Sequence, residues 1–355
     1  MPEPDSGAAG RRRSRLSRTQ TNPSDTSDMT TLEAIRAALP AYPIEVTFPD
    51  ISRWRAGNTG IDYLHTFDSG KPGKHVMILA LTHGNEVSGA IAVDALLTAG
   101  LRPVAGRLSL GFGNVGAYEH FSAENADATR YLDEDMNRVW TPAALDGTRD
   151  SRELARARAM RPLLDTVDLL LDIHSMHEAS APLMMTGPLD KAIALAAALG
   201  TPEHVIVDRG HANGTRLRDY GGFGDPASAK NALLIETGQH FAASARAVAL
   251  DSAARFLLHA GVVARDDVAA FLTQAAPVRQ KFIEITQPVV ARSMDFRFSQ
   301  PFTGLEVIAK AGTEIARDGD DVIVTPYDDC VIVQPSMRHL GVNVTMMRLG
   351  RLLER

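Results

Sequence analysis

Residues Lys74–Glu86 read KHVMILALTHGNE, and this stretch decides the fold. Its opening is a short apolar run closed by a polar turn, the pattern of a strand buried on both faces. The run breaks at Thr82-His83-Gly84-Asn85-Glu86. A helix pattern follows, with Val87, Ala90, Ile91, Leu96 and Leu97 apolar and Gly100 as the stop. A strand, a turn carrying chemistry and a helix form the repeating unit of an α/β sheet.

Working outward, the alternation recurs. Arg107–Gly111 reads as a strand, and Val167–Ile173 (VDLLLDI) as another that ends at His174. Lys191–Leu199 reads as a helix and Glu203–Val207 as a strand. Ala232–Ile235 is a strand ending at Glu236, and Phe241–Ala260 is a strongly apolar helix pattern. The expected fold is α/β, with a largely parallel or mixed sheet covered by helices on both faces. Near Gln274 the texture changes to short strand-like runs parted by Gly, Asp and Pro, such as Leu305–Ala309, Asp321–Thr325 and Cys330–Val333. The expected organisation is a disordered tail at 1–28, a main α/β domain at 29–275 and a smaller C-terminal β domain at 276–355.

Composition narrows the function. The 355 residues carry 37 Lys and Arg against 43 Asp and Glu, a formal charge of −6. Such a chain has no overall pull toward nucleic acid or anionic lipid, so neither is expected as a partner. No apolar stretch approaches the roughly 18–20 residues that cross a bilayer. The tail holds Arg11, Arg12, Arg13, Arg15 and Arg18 with no apolar segment after them, which argues against a secretory signal and for the cytoplasm. The single Cys330 excludes an intrachain disulfide and any cysteine cluster, so a transition metal would need His and carboxylate ligands. Acidic enzymes of this size often self-associate, and a homo-oligomer is an expectation on that ground.

Three polar groups stand at expected strand ends, where open α/β sheets bind ligands. His83 and Glu86 flank a turn that Gly84 allows to fold closely. A neutral imidazole and a carboxylate suit a divalent metal, and His174 would complete a His2Glu set with an open position, the pattern of catalytic zinc. Glu236 is placed to act as a base on metal-activated water. Taken singly, each has a plainer reading as a solvated or capping residue; their coincidence on separate strands favours the metal. The segment Thr129–Trp140 (TRYLDEDMNRVW) adds Arg130, Asn137 and Arg138. One guanidinium beside the metal can polarise a carbonyl, and a second with an amide neighbour can hold a carboxylate. The plainer reading is a surface loop of ordinary ion pairs.

In order and spacing, HGNE, the later DIH, RYLDEDMNR and IETG resemble the succinylglutamate desuccinylase/aspartoacylase family, relatives of the zinc carboxypeptidases. The resemblance runs from about Lys74 to Gln239, and the C-terminal part is similar to the family's second domain. It implies a zinc-carboxypeptidase-like mixed sheet flanked by helices and one Zn2+ per subunit. It implies His83, Glu86 and His174 as metal ligands, Glu236 as general base, Arg130 as the carbonyl-polarising group, and Asn137 with Arg138 as holders of a substrate carboxylate. The implied reaction is hydrolysis of the amide bond of a small N-acyl amino acid or related N-acyl compound. Two positions depart from the pattern. Pro226 stands where aspartoacylase-like members carry an arginine ahead of the base, with Arg216 and Arg218 further upstream, and Asn114-Val115 stands where the family has Asn-Pro. His177 is open to two readings, substrate-facing or solvated.

Other chemistries fit less well. Gly111–Gly116 (GFGNVG) satisfies a dinucleotide fingerprint, but the following Ala117–Arg130 lacks the apolar helix face that fold requires. No G-x-S-x-G elbow is present. Cys330 lies in an apolar run and reads as a buried structural thiol. Lys310 lacks the neighbours of a carrier-domain lysine. The remaining alternatives are a carboxypeptidase-like peptidase on short peptides and a non-catalytic binding protein. A base at Glu236 argues against the latter.

Overall fold

A computed structural model describes residues 32–210, 214–277 and 279–354; the tail expected at 1–28 lies outside them. A short helix α1 (32–38) leads in. The chain then alternates as β1 (Leu64–Asp68), β2 (His75–Ala80), α2 (Val87–Thr98), β3 (Arg107–Phe112), α3 (Val115–Glu119), α4 (Pro142–Leu145), α5 (Arg152–Leu164), β4 (Leu169–Met176) and β5 (Leu183–Thr186). It continues with α6 (Asp190–Leu199), β6 (His204–Val207), β7 (Asn231–Gln239), α7 (Ala243–His259) and α8 (Arg265–Val268). The rest is β: β8 (Lys281–Val290), β9 (Phe296–Phe298), β10 (Val307–Ile308), β11 (Glu314–Asp318), β12 (Asp321–Val324), β13 (Cys330–Val333) and β14 (Thr345–Leu353).

The large sheet runs β1-β3-β2-β4-β7-β5-β6-β8-β14-β13-β10, and a second sheet runs β12-β11-β9. Strands β3, β2, β4 and β7 are mutually parallel, while β5 turns antiparallel to β7. This is the mixed α/β sheet that the alternation predicts. The C-terminal strands extend it: β8 lies parallel to β6 and antiparallel to β14. Among the described residues, no helix is long and apolar enough to cross a membrane.

Strand periodicity sorts the central side chains by face. Val76, Ile78 and Ala80 of β2, Leu169, Leu171 and Ile173 of β4, and Leu233 and Ile235 of β7 pack with α2, α6 and α7. Met77, Leu79, Leu170 and Ala232 face the other way, toward Leu154, Ala157 and Met160 of α5. Every residue of β2, β4 and β7 is buried, which explains their near-continuous apolar runs. Alternation therefore carries Asp172 and His174 onto the α5 face, with Glu236 beside them on the neighbouring strand. Both strands run further than their apolar runs suggest, past His174 to Met176 and past Glu236 to Gln239. A register irregularity between His174 and Met176 accommodates this, and His174 sits directly across from Glu236.

The loop between α3 and α4 is held from beneath by one carboxylate. Glu153, wholly buried near the start of α5, accepts from Asn114 Nδ2 (3.0 Å), Leu132 N (2.7 Å), Asp133 N (3.0 Å) and Glu134 N (3.3 Å). From the other side, Gly84 N donates to Arg130 O at 2.9 Å. A Cβ at Gly84 would fall 2.5 Å from Thr129 O and 2.6 Å from Ala117 C, so only glycine lets the two turns meet. Helix α3, which begins at Val115 inside GFGNVG, is a single short turn capped by Asn114, unlike the long helix of a dinucleotide fold.

Two outcomes are expected. Glu153→Ala orphans four donors and should destabilise the protein by roughly 2–4 kcal/mol. Trypsin should then cut after Arg130 and Arg138 faster than in the wild type; equal cleavage and an equal melting temperature would remove Glu153 from this role. The second concerns His75, buried between Ser109 Oγ (2.7 Å) and Thr166 Oγ1 (3.0 Å). Burial, aided by the charge of Arg107, lowers its pKa to about 4. The unfolded chain therefore takes up a proton below about pH 6.5 that the fold refuses. Its stabilising contribution is complete above that pH and is lost as pH falls from about 6.5 toward 4. Melting curves across this window should slope less steeply for His75→Gln than for the wild type.

Candidate metal centre and its surroundings

His83, Glu86 and His174 offer one ligand atom each, and these atoms lie within 4.8 Å of one another. The first two follow β2 and the third rides on β4, so adjacent parallel strands set their spacing. Glu86 is divided between the rings: Oε1 lies 2.7 Å from His83 Nδ1 and Oε2 lies 2.7 Å from His174 Nδ1. The second approach is not aligned as a hydrogen bond, and Oε2 is a buried oxygen without a hydrogen-bond partner. Side chains that share a common centre can approach in this way. The far nitrogens are also committed. His83 Nε2 lies 2.8 Å from Asp135 Oδ1, and His174 Nε2 lies 2.8 Å from Asp172 Oδ2. Asp172 in turn accepts from Thr82 Oγ1 at 2.8 Å. Carboxylates behind imidazoles orient metal-binding rings and leave the near nitrogen as a lone pair. The donor set fits a divalent cation.

Electrostatics agree. Burial pushes the Glu86 carboxyl up, but the flanking His83 and His174 outweigh it and hold the group well below the usual range. Burial opposes charge on His174, yet Asp172 and Glu86 raise its pKa well above normal. The centre thus favours positive charge. Arg130 supplies some: Nη1 donates to Glu86 Oε1 at 3.2 Å, and Nη2 lies 2.9 Å from His83 Nε2. Burial works against its charge, but Asp135 and Glu86 raise its pKa nonetheless.

Glu236 lies in the same pocket, a cavity of about 790 Å³ that also takes in Arg130, Asn137, Arg138 and His177. Burial first, then the charge of Glu86, pushes its carboxyl up to about 7. Its Oε1 accepts from Gln334 Nε2 at 3.1 Å, whereas Oε2 is buried without a partner. Asn137 Oδ1 accepts from Leu217 N at 2.9 Å, tying the loop to the segment before β7. Arg138 donates to Asn137 O at 2.8 Å. Burial and the neighbouring Arg216 and Arg130 lower its pKa to about 10, although Asp135 acts against them.

Ahead of Glu236, the position where the resemblance implies an arginine holds Pro226. Pro226 is exposed and stands outside the pocket, while Arg216 lines it. Arg218 does not: its buried guanidinium turns to Asp208 O at 2.8 Å and Asp219. Arg348, delivered by β14, joins Arg216 around a single carboxylate. Asp208 Oδ2 is 2.9 Å from Arg216 Nη1 and 3.7 Å from Arg348 Nε. His177 is partly buried, with Nε2 3.0 Å from His339 Nε2, so it faces the pocket wall. Sequence reading assigned Asp135, Asp172, Arg348 and Gln334 no role at this centre. For Asp172, its place two residues before His174 on one strand face was an available signal. Nothing local pointed to the others. Cys330 is buried, which raises its thiol pKa, and Lys310 pairs with Asp328 at 3.0 Å on the surface.

Comparison with known proteins follows the same line. Similar folds include succinylglutamate desuccinylase from Vibrio cholerae, with a TM-score of 0.61 and 16% identity over 82% of this chain and 86% of that one. The enzyme of that name from Vibrio parahaemolyticus gives 0.58 at 16% identity over 82% and 87%. The product-bound ectoine utilization protein EutE (DoeB) from Ruegeria pomeroyi gives 0.56 at 14% identity, covering 89% and 98%. Likeness at this identity shows the fold. A comparison with curated proteins returns no match. The family described as the succinylglutamate desuccinylase/aspartoacylase catalytic domain matches residues 72–260, more than half of the sequence, and the chain belongs to that family of hydrolases.

Proposed function

We propose that the chain is a zinc-dependent deacylase that hydrolyses the amide bond of a small N-acyl compound bearing a carboxylate. The observation that carries this reading is the convergence of His83, Glu86 and His174 within 4.8 Å, next to the partnerless Oε2 of Glu236. Imidazole and carboxylate ligands with a position left open suit catalytic zinc. Bound there, zinc would supply Lewis acidity toward the acyl oxygen and make a water molecule acidic enough to attack near neutral pH. Glu236 takes the proton of that water through Oε2 and returns it to the leaving amine. A carboxyl raised to about 7 suits a group that must both accept and give a proton. Arg130 donates to the oxygen on which charge develops; loss of such a donor typically costs about 100- to 1000-fold in rate. Arg138, Arg216 and Arg348, more cationic than Asp208 and Asp135 can balance, hold the substrate carboxylate beside the Asn137 amide.

A small substrate is favoured over a peptide by the pocket wall. Gln334, Ser336, His339 and Arg348, from the C-terminal strands and their loops, line the same cavity as the metal-ligand candidates, and a cavity walled in this way suits a small substrate.

The experiment is a screen of N-acetyl and N-succinyl amino acids against dipeptides, using zinc-loaded protein. Deacylation without dipeptide cleavage is expected, and the reverse would move the assignment to a peptidase. Glu236→Gln should retain one zinc per chain by elemental analysis and lose at least about 1000-fold in kcat. Wild-type turnover in that variant would remove Glu236 as the base. Arg216→Met should raise KM about 10- to 100-fold for a carboxylate substrate, the worth of a charge-assisted hydrogen bond. It should leave KM of the matching carboxamide nearly unchanged. An equal rise for both would show that Arg216 shapes the pocket without reading charge.

A further inference from the structure

The two oxygens of Glu236 are treated differently, and the difference originates 98 residues away in the C-terminal strands. Gln334 follows β13 in the left-handed region, at φ +48°, which a residue with a side chain adopts at a cost. That backbone brings its amide to Glu236 Oε1. The two ends of a glutamine amide have the same shape, so its orientation must come from its neighbours. Here both neighbours agree. Arg348 Nη1, 3.3 Å from Gln334 Oε1, can only donate, so it fixes the oxygen on its own side. The carboxylate of Glu236 can only accept, so it takes the Nε2 end at 3.1 Å. Oε1 is thereby occupied and the carboxylate cannot rotate freely. Oε2, buried and without a partner, is left as the oxygen that meets the reactants.

We propose that Gln334, its amide oriented by Arg348, is a positioning residue that fixes the rotation of the Glu236 carboxylate and selects Oε2 for proton transfer. The inference rests on the reading of Glu236 as the base. The C-terminal strands thus contribute to the reaction centre as well as walling it in. A proton-transfer group must be held within hydrogen-bond reach of its partner, and an untethered carboxylate would spend part of its time misaligned.

The test uses the full-length protein and two variants. Gln334→Gly removes the amide and relieves the positive φ, so the fold should be at least as stable; Gln334→Met keeps the volume and removes the hydrogen bonds. Without substrate, the side-chain amide protons of Gln334 should resonate downfield by NMR in the wild type and move upfield in Glu236→Ala. With the best-cleaved N-acyl amino acid of the screen above, both Gln334 variants should lower kcat about tenfold, with KM within twofold and zinc content unchanged. Once Arg348→Met has freed the amide, adding Gln334→Met should cost kcat less than about twofold more, because the two act in series. Unchanged kcat in both Gln334 variants, or amide resonances indifferent to Glu236→Ala, would overturn the proposal. Should Glu236→Gln retain activity, the base itself is misassigned; should it be inactive while the Gln334 variants turn over normally, only the positioning role fails.

Discussion

Glu86 is the constraint around which the rest is arranged. It is a carboxylate removed from water, and its two oxygens face two imidazoles instead of solvent. Three further carboxylates, Asp135, Asp172 and Glu236, lie close by, and the Arg130 guanidinium reaches the centre itself. Such crowding of negative charge is tolerable only with compensating cations. Protonated imidazoles or a bound divalent ion can supply them, and the second leaves both rings neutral for coordination. The geometry and the charge therefore make the same demand, which is why the metal reading does not depend on any single distance.

This demand separates the two acidic roles. Glu86 lies between cations and is held ionised. Glu236, across from His174 on the next strand, is raised to about 7 by burial first and then by the charge of Glu86, against the opposing pull of His174, Arg130 and His83. Two glutamates in one pocket are thus driven to opposite behaviour by their surroundings, one suited to hold an ion and one to carry a proton. The same separation appears around Asp208. Asp208, pressed by burial but surrounded by Arg216, Arg348 and Arg218, has its pKa lowered to about 2. It keeps the arginines in place without neutralising them all.

Much of this was legible because it is local. Apolar runs and a polar break located β2, β4 and β7, and the two imidazoles follow from where those runs stop. Parallel pairing then brings strand positions together without further information. The stopping points were misplaced by a few residues, since β4 and β7 continue as buried polar strands whose hydrogen bonding the sequence pattern does not express. Asp135 was illegible as the partner of His83, because it sits 52 residues away on a loop shaped by Glu153. Arg216 and Arg218 could not be told apart by sequence. Their side chains diverge within one short 3-10 turn, one into the pocket and one into the protein.

The C-terminal strands were the least readable part, and the reason is topological. Read alone, short strands parted by turns describe a separate β unit beside the catalytic one. In the fold, β8 pairs with β6, so the large sheet does not stop where the character of the sequence changes. An edge strand of an α/β sheet exposes unpaired backbone groups; here that edge is used to join the next strands. The join sets β13 and β14 in register with the pocket, and Gln334 and Arg348 reach Glu236 and Asp208 as a consequence. A loosely tethered domain could close over a pocket, but it could not hold a hydrogen bond to the Glu236 carboxylate at fixed length. Continuity of the sheet is what lets a distant segment reach the carboxylates of the pocket.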